Sequence, residues 1–128
     1  MDVFHKRLLI AAQGYSELGL PDLALADLAA IPEDERGESV FVETMLSVLM
    51  QAQRWVAALP VGQELCRLEP EKSAGFIHAA FCLHELGNLD QARAYLDVSF
   101  AMDKNLKEFA LDDPDLDMLR AFKMAANS

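Results

Sequence analysis

The sequence predicts an all-α fold of three helical hairpins stacked in chain order and closed by a C-terminal capping helix. Two observations carry this. Ala24, Ala58 and Ala92 recur at an interval of 34 residues, and the positions around them keep the same register. Within each interval the apolar residues recur at i, i+3, i+4 and i+7, the helical period, and not at the strand period of two. A third observation sets the joints: Gly19 and Gly87 occupy the same place in the first and third intervals, where a helix must stop and reverse.

The units run over residues 5–38, 39–72 and 73–106. Their fourth position reads Leu8, Val42, Phe76, the seventh Ala11, Met45, Ala79, the eleventh Tyr15, Leu49, Leu83, and the seventeenth Pro21, Trp55, Leu89. In the first unit, Gly19 ends one helix and Pro21 starts the next, where its missing N–H costs nothing. Pro32 shortens that second helix, and residues 32–38 read as a charged loop. In the second unit, Val40, Phe41, Val42, Met45, Leu46, Val48, Leu49, Met50 and Ala52 surround the first helix almost completely. Such a helix is either central to its own core or in contact with something outside it. The second helix begins near Trp55, and Pro60 makes it start late or bend. Pro70 reads as belonging to the first turn of the following helix. In the third unit, Gly87 is the stop, and Asn88 with Gln91 forms a capping box for the helix from Leu89. The period then breaks. Asp113, Pro114 and Asp115 read as a helix start, and a cap over residues 107–124, carrying Leu116, Leu119 and Phe122, covers the apolar end of the stack.

Composition narrows the function. The chain has 128 residues, 52% hydrophobic and 25% charged, with 11 basic against 21 acidic side chains and a formal charge of -10. That describes one acidic domain spanning 1–128 with ample core, and it excludes disorder. The negative field disfavours nucleic acid and anionic membrane as partners. Cys66 and Cys82 are too few for a disulfide framework. Their helices place them about 9 Å out of register at ~1.5 Å per residue, beyond disulfide reach. Without a signal peptide or an apolar run long enough for a membrane span, the expected location is the cytoplasm.

A 34-residue helix-turn-helix unit with small residues at unit positions 8 and 20 and proline at 32 resembles the tetratricopeptide repeat family. Ala12 and Ala80 hold position 8, the three alanines hold position 20 and Pro70 holds position 32, so the resemblance covers about Phe4 to Asn105. Leu46 at position 8 and Gly62 at position 24 depart from the pattern. The resemblance implies a right-handed superhelix whose first helices line a concave groove. It assigns to that groove Lys6, Leu9 and Gln13, then Val40, Glu43, Thr44, Ser47 and Met50, then Ile77, His78 and Phe81. The lysine, arginine and asparagine clamp by which some family members hold a partner's C-terminal carboxylates is absent. Leu9, Gln13, Thr44, Ala74 and His78 stand in its place.

Chemistry is sparse. His78, Cys82 and Glu85 share a helix face, but zinc motifs draw ligands from a second segment as well. Asp113, Asp115 and Asp117 begin like a calcium loop, yet Met118 and Met124 hold the glycine and glutamate positions. No nucleophile elbow, phosphate loop or zinc-protease motif occurs, so neither enzyme activity, metal nor cofactor is expected. The expected function is a protein-interaction module holding a peptide or amphipathic segment of another protein. In size and repeat number the chain also resembles the small cytoplasmic chaperones of type III secretion, the alternative reading. A self-associating homodimer is the other rival.

Overall fold

The computed structural model describes residues 1–103. The expected cap at 107–124 and the Asp113 to Asp117 run lie outside the described residues. The described chain forms α1 (Val3–Glu17), α2 (Pro21–Ala29), α3 (Ser39–Gln51), α4 (Trp55–Leu68), α5 (Ala74–Glu85) and α6 (Leu89–Met102), with no strand among the described residues. Consecutive pairs make three hairpins, a tetratricopeptide-like stack.

The 34-residue register is conformational as well as compositional. Gly19 (φ +75°), Gln53 (φ +59°) and Gly87 (φ +83°) are all left-handed. Each turn is closed by the same long backbone bond, from Leu20 N–H to the Tyr15 carbonyl, from Arg54 to Leu49 and from Asn88 to Leu83, all 2.9 Å. This closure satisfies carbonyls that a helix end would leave without partners. Gln53 adopts without glycine's freedom what its two counterparts adopt with it. Pro21 takes the first position of α2, and the Asn88 side chain accepts the Gln91 N–H at 3.3 Å. Asp2 caps α1 by accepting the His5 N–H at 2.8 Å.

The core follows the small residues. Ala12, Ala24, Ala58, Ala80 and Ala92 have no exposed surface, which lets neighbouring helices close in. One expectation is narrowed and two need correction. Of the two outcomes expected at Pro60, the late start is excluded: α4 begins at Trp55 and runs through Pro60. The bond it forgoes belongs to the carbonyl of Val56, four residues back. Pro70 lies in the turn before α5 and not in a helix, because α5 starts only at Ala74. Residues 32–38 are a structured joint more than a charged loop. A 3-10 turn spans Glu33–Glu35, and Arg36 donates from Nε to the Ile31 carbonyl and from Nη2 to the Ala29 carbonyl, both at 2.9 Å. The guanidinium therefore caps the open end of the short α2. Glu35 reaches back to α1, its Oε2 2.5 Å from His5 Nδ1.

The two junctions between hairpins differ. Both α1 and α2 pack on α3, with Leu9, Leu28, Ile31, Phe41 and Val48 in one buried cluster. At the second junction α5 packs on α4 and scarcely touches α3. Glycine explains the closeness: a Cβ on Gly75 would stand 2.9 Å from the Cys66 backbone nitrogen, and one on Gly62 3.5 Å from the Ala79 nitrogen. None of the described helices is long and apolar enough to cross a membrane.

Candidate partner-binding groove

The residues expected to meet a partner lie on α1, α3 and α5. On α3 the outward arc carries Val40, Glu43 and Ser47, all exposed, and half-buried Met50. Thr44 does not join them. It is 2% exposed, and its hydroxyl donates to the Val40 carbonyl at 2.8 Å. The nearly complete apolar girdle of α3 has an internal cause, since Phe41, Val42, Leu46, Val48 and Leu49 are buried against the first hairpin and α4. Only Val40 and Met50 of that girdle's larger residues keep appreciable surface on the outward arc.

On α1, Lys6 and Gln13 are exposed, whereas Leu9 is 5% exposed and belongs to the core. Its neighbour Ile10, one helical step of 100° away, is 68% exposed and takes its place on the surface. On α5, Ile77, His78 and Phe81 are half-buried and share an arc with exposed Ala74 and Glu85. Phe81 also packs against the α5–α6 cluster of Ala80, Leu83, Ala92 and Leu96, so one side of its ring is fixed.

His78 has one chemical role settled by its contacts. Burial pushes its pKa below the usual 6.5, so the ring is neutral near pH 7. Nδ1 lies 2.7 Å from the Ala74 carbonyl, which can only accept, so Nδ1 carries the proton and Nε2 is an acceptor. A neutral acceptor suits a partner's N–H or hydroxyl.

Glu43 belongs to a polar chain that sequence reading missed. Burial first, and a hydrogen bond with Glu69 second, raise the Glu43 pKa above the ordinary carboxylate value. Glu69 is lowered, first by its hydrogen bond with Lys72 and then by that with Glu43. Lys72 Nζ stands 3.1 Å from Glu69 Oε2. Of the two carboxyls, Glu43 therefore holds a proton more readily than Glu69, at the end of α4. Two carboxyls against one ammonium leave this cluster with a net negative charge. The spacing gave no signal of it, because Glu43 and Glu69 meet only through the α3–α4 packing.

Metal chemistry gains no support from the helix face of His78, Cys82 and Glu85. Cys82 has no exposed surface, and burial pushes its thiol to about 11, far from the thiolate a metal requires. Among the described residues no group of three His, Cys, Asp or Glu side chains is placed to hold an ion. Cys66 and Cys82 are both free and buried.

No family model matches the chain, and no curated protein matches it. Solved structures do. The translocator chaperone SycD of Yersinia enterocolitica type III secretion, in an alternative dimer, is 19% identical, with 100% of this chain and 98% of SycD covered at a TM-score of 0.78. PcrH in complex with the chaperone-binding region of PopB is 18% identical, with 98% and 95% covered at 0.71. At these identities the likeness shows the fold, a tetratricopeptide-like helical stack.

Proposed function

We propose that the chain is a small cytoplasmic chaperone of the type III secretion kind, holding a segment of a secreted client in the groove of α1, α3 and α5. One observation carries the reading: two solved structures that match it almost end to end are both chaperones, and one holds its partner's binding region. The surface chemistry supports it. Val40, Met50, Ile77 and Phe81 offer apolar contact, and Met50 adapts to varied side chains. Gln13, Glu43 and His78 offer polar contacts that fix register. The chain is read as a binding protein and not an enzyme.

The test is capture of partners from the native cell extract with wild type, Glu43→Lys and Phe81→Ala in parallel, followed by co-expression with the captured client. Wild type should keep the client soluble, while each variant should retain about 10-fold less of it without loss of helicity. A client retained equally by all three would place it outside the groove. A client that is fully soluble alone would make the chain an adaptor.

A further inference from the structure

The largest apolar exposure away from the groove lies along the edge formed by the three hairpin turns. Leu18 (74% exposed), Leu20 and Leu23 stand at the first turn, Val56 (75% exposed) at the second, and Leu86 and Leu89 at the third. The turns are joined into one surface. Arg54 of the second turn bonds Asp22 of the first, Nη2 to Oδ1 at 2.7 Å. Between the second and third turns, Trp55, Val56 and Leu86 help to line an open depression of about 430 Å³.

The edge is also patterned. The first turn reads Glu17-Leu18-Gly19-Leu20-Pro21-Asp22, and the third reads Glu85-Leu86-Gly87-Asn88-Leu89-Asp90, so the same Glu-Leu-Gly and Asp positions recur. Glu17, Asp22, Glu85 and Asp90 are all exposed; among the described residues Arg54 is bonded to Asp22, and His84 Nδ1 stands 3.6 Å from Glu85. An apolar strip with acids at both ends calls for a partner with cations at both ends. A second copy would bring acid to acid, and a chain of charge -10 repels an anionic bilayer.

We propose that this turn edge is a second docking surface, and that its occupant is an amphipathic helix of another protein whose apolar stripe is flanked by lysine or arginine. The size fits. With helices packing about 10 Å apart, three hairpins span about 20 Å, the length of ~13 helical residues. The depression beside Trp55 receives one large apolar side chain of that helix, the usual form of an interface anchor. The apolar residues of this surface do not depend on the groove reading, since none of them lies on the arcs of α1, α3 and α5 that face a client; Glu85 alone of the named acids lies on such an arc.

Trp55 is the single tryptophan of the chain, so its emission reports on the edge directly. The probe is a synthetic helix of about 14 residues with leucines at i, i+3, i+4 and i+7 and lysines on both flanks. A twin has glutamates in place of the lysines. The lysine helix should shift Trp55 emission saturably, and more weakly as salt rises. Val56→Gln with Leu86→Gln, both at exposed sites, should weaken binding about 10-fold or more while the circular dichroism and melting stay as in wild type. Phe81→Ala should leave this binding in place.

Each of the following results overturns the proposal. They are no emission change with the lysine helix, equal binding of the glutamate twin, loss of binding in Phe81→Ala, and an emission shift that instead follows protein concentration with doubling of mass. A shift produced by phosphatidylglycerol vesicles but not by the peptide would also overturn it, in favour of a lipid surface.

Discussion

The junction between the first and second hairpins and that between the second and third join equivalent positions of the same repeat in different ways. At the first, large side chains interlock: Ile31 and Leu28 are fully buried against α3, and polar ties hold the joint, through Arg36 to the end of α2 and His5 to Glu35. At the second, side chains are removed. Gly75 and Gly62 let the backbones of α4 and α5 meet at Cys66 and Ala79, and α5 turns toward α4 at the expense of α3. A fixed repeat length sets where helices begin and end, then, but not how neighbours approach. That is decided by the volumes at a few contact points.

Removing volume from the interlocked junction is the largest expected effect. Ile31→Ala should cost about 2–5 kcal/mol, because its surroundings are held by Arg36 and α3 and close only in part around the missing atoms. Urea unfolding followed by circular dichroism measures it. Hydrogen exchange should show α1 and α2 losing protection before α5 and α6. Uniform loss along the chain would mean that the two junctions are not energetically separate.

Adding volume to the glycine junction is next. Gly75→Ala should cost about 1–3 kcal/mol even though alanine favours helix, since its methyl meets the Cys66 backbone nitrogen first, with the Cys66 Sγ and the Leu65 carbonyl carbon close behind. The order of opening should reverse, with α5 and α6 losing protection first. Cys66 supplies an independent readout. Burial pushes its thiol to about 11, as it does that of Cys82, so in wild type both stay protonated near neutral pH and react slowly with a maleimide. In Gly75→Ala the Cys66 rate should rise before that of Cys82. A raised folded-state value also means stability from these thiols is complete below their ordinary value of 9.0 and is lost as pH climbs towards about 11.

The hairpins, their turns and most of the small buried residues were legible, because each rests on local rules: Gly19 and Gly87 on backbone sterics, Pro21 and Asn88 on the needs of a helix start, the alanines on periodicity. What was not legible depends on partners far along the chain. Leu9 and Ile10 are equally apolar neighbours, and only the angle at which α1 meets α3 decides which one is inside. Thr44 is buried and not part of the α3 surface, and its hydroxyl donates to the Val40 carbonyl. Glu43 was visible as a surface acid, but its hydrogen bond with Glu69 was not, since that needs α4 to end beside it. The joint at residues 32–38 looked like a loop because its charges are dense, and they are dense because they tie helices together.

The smallest expected effect has the opposite sign, and it tests whether contact distance alone separates the two glycines of the second junction. Gly62 departs from the large residue the repeat pattern asks for, which suggests a site that tolerates no side chain. The geometry says otherwise. A Cβ there would meet the Ala79 nitrogen at 3.5 Å and its Cβ at 3.7 Å, ordinary contact distances, whereas at Gly75 the nearest atom is at 2.9 Å. Gly62 also lies inside α4, where glycine costs about 0.8–1 kcal/mol relative to alanine through backbone entropy. Gly62→Ala should therefore raise stability by up to about 1 kcal/mol and leave the α4–α5 approach unchanged. A loss of stability like that of Gly75→Ala would mean that the two helices need to be as close at Ala79 as at Cys66, with both glycines required for the α4–α5 approach.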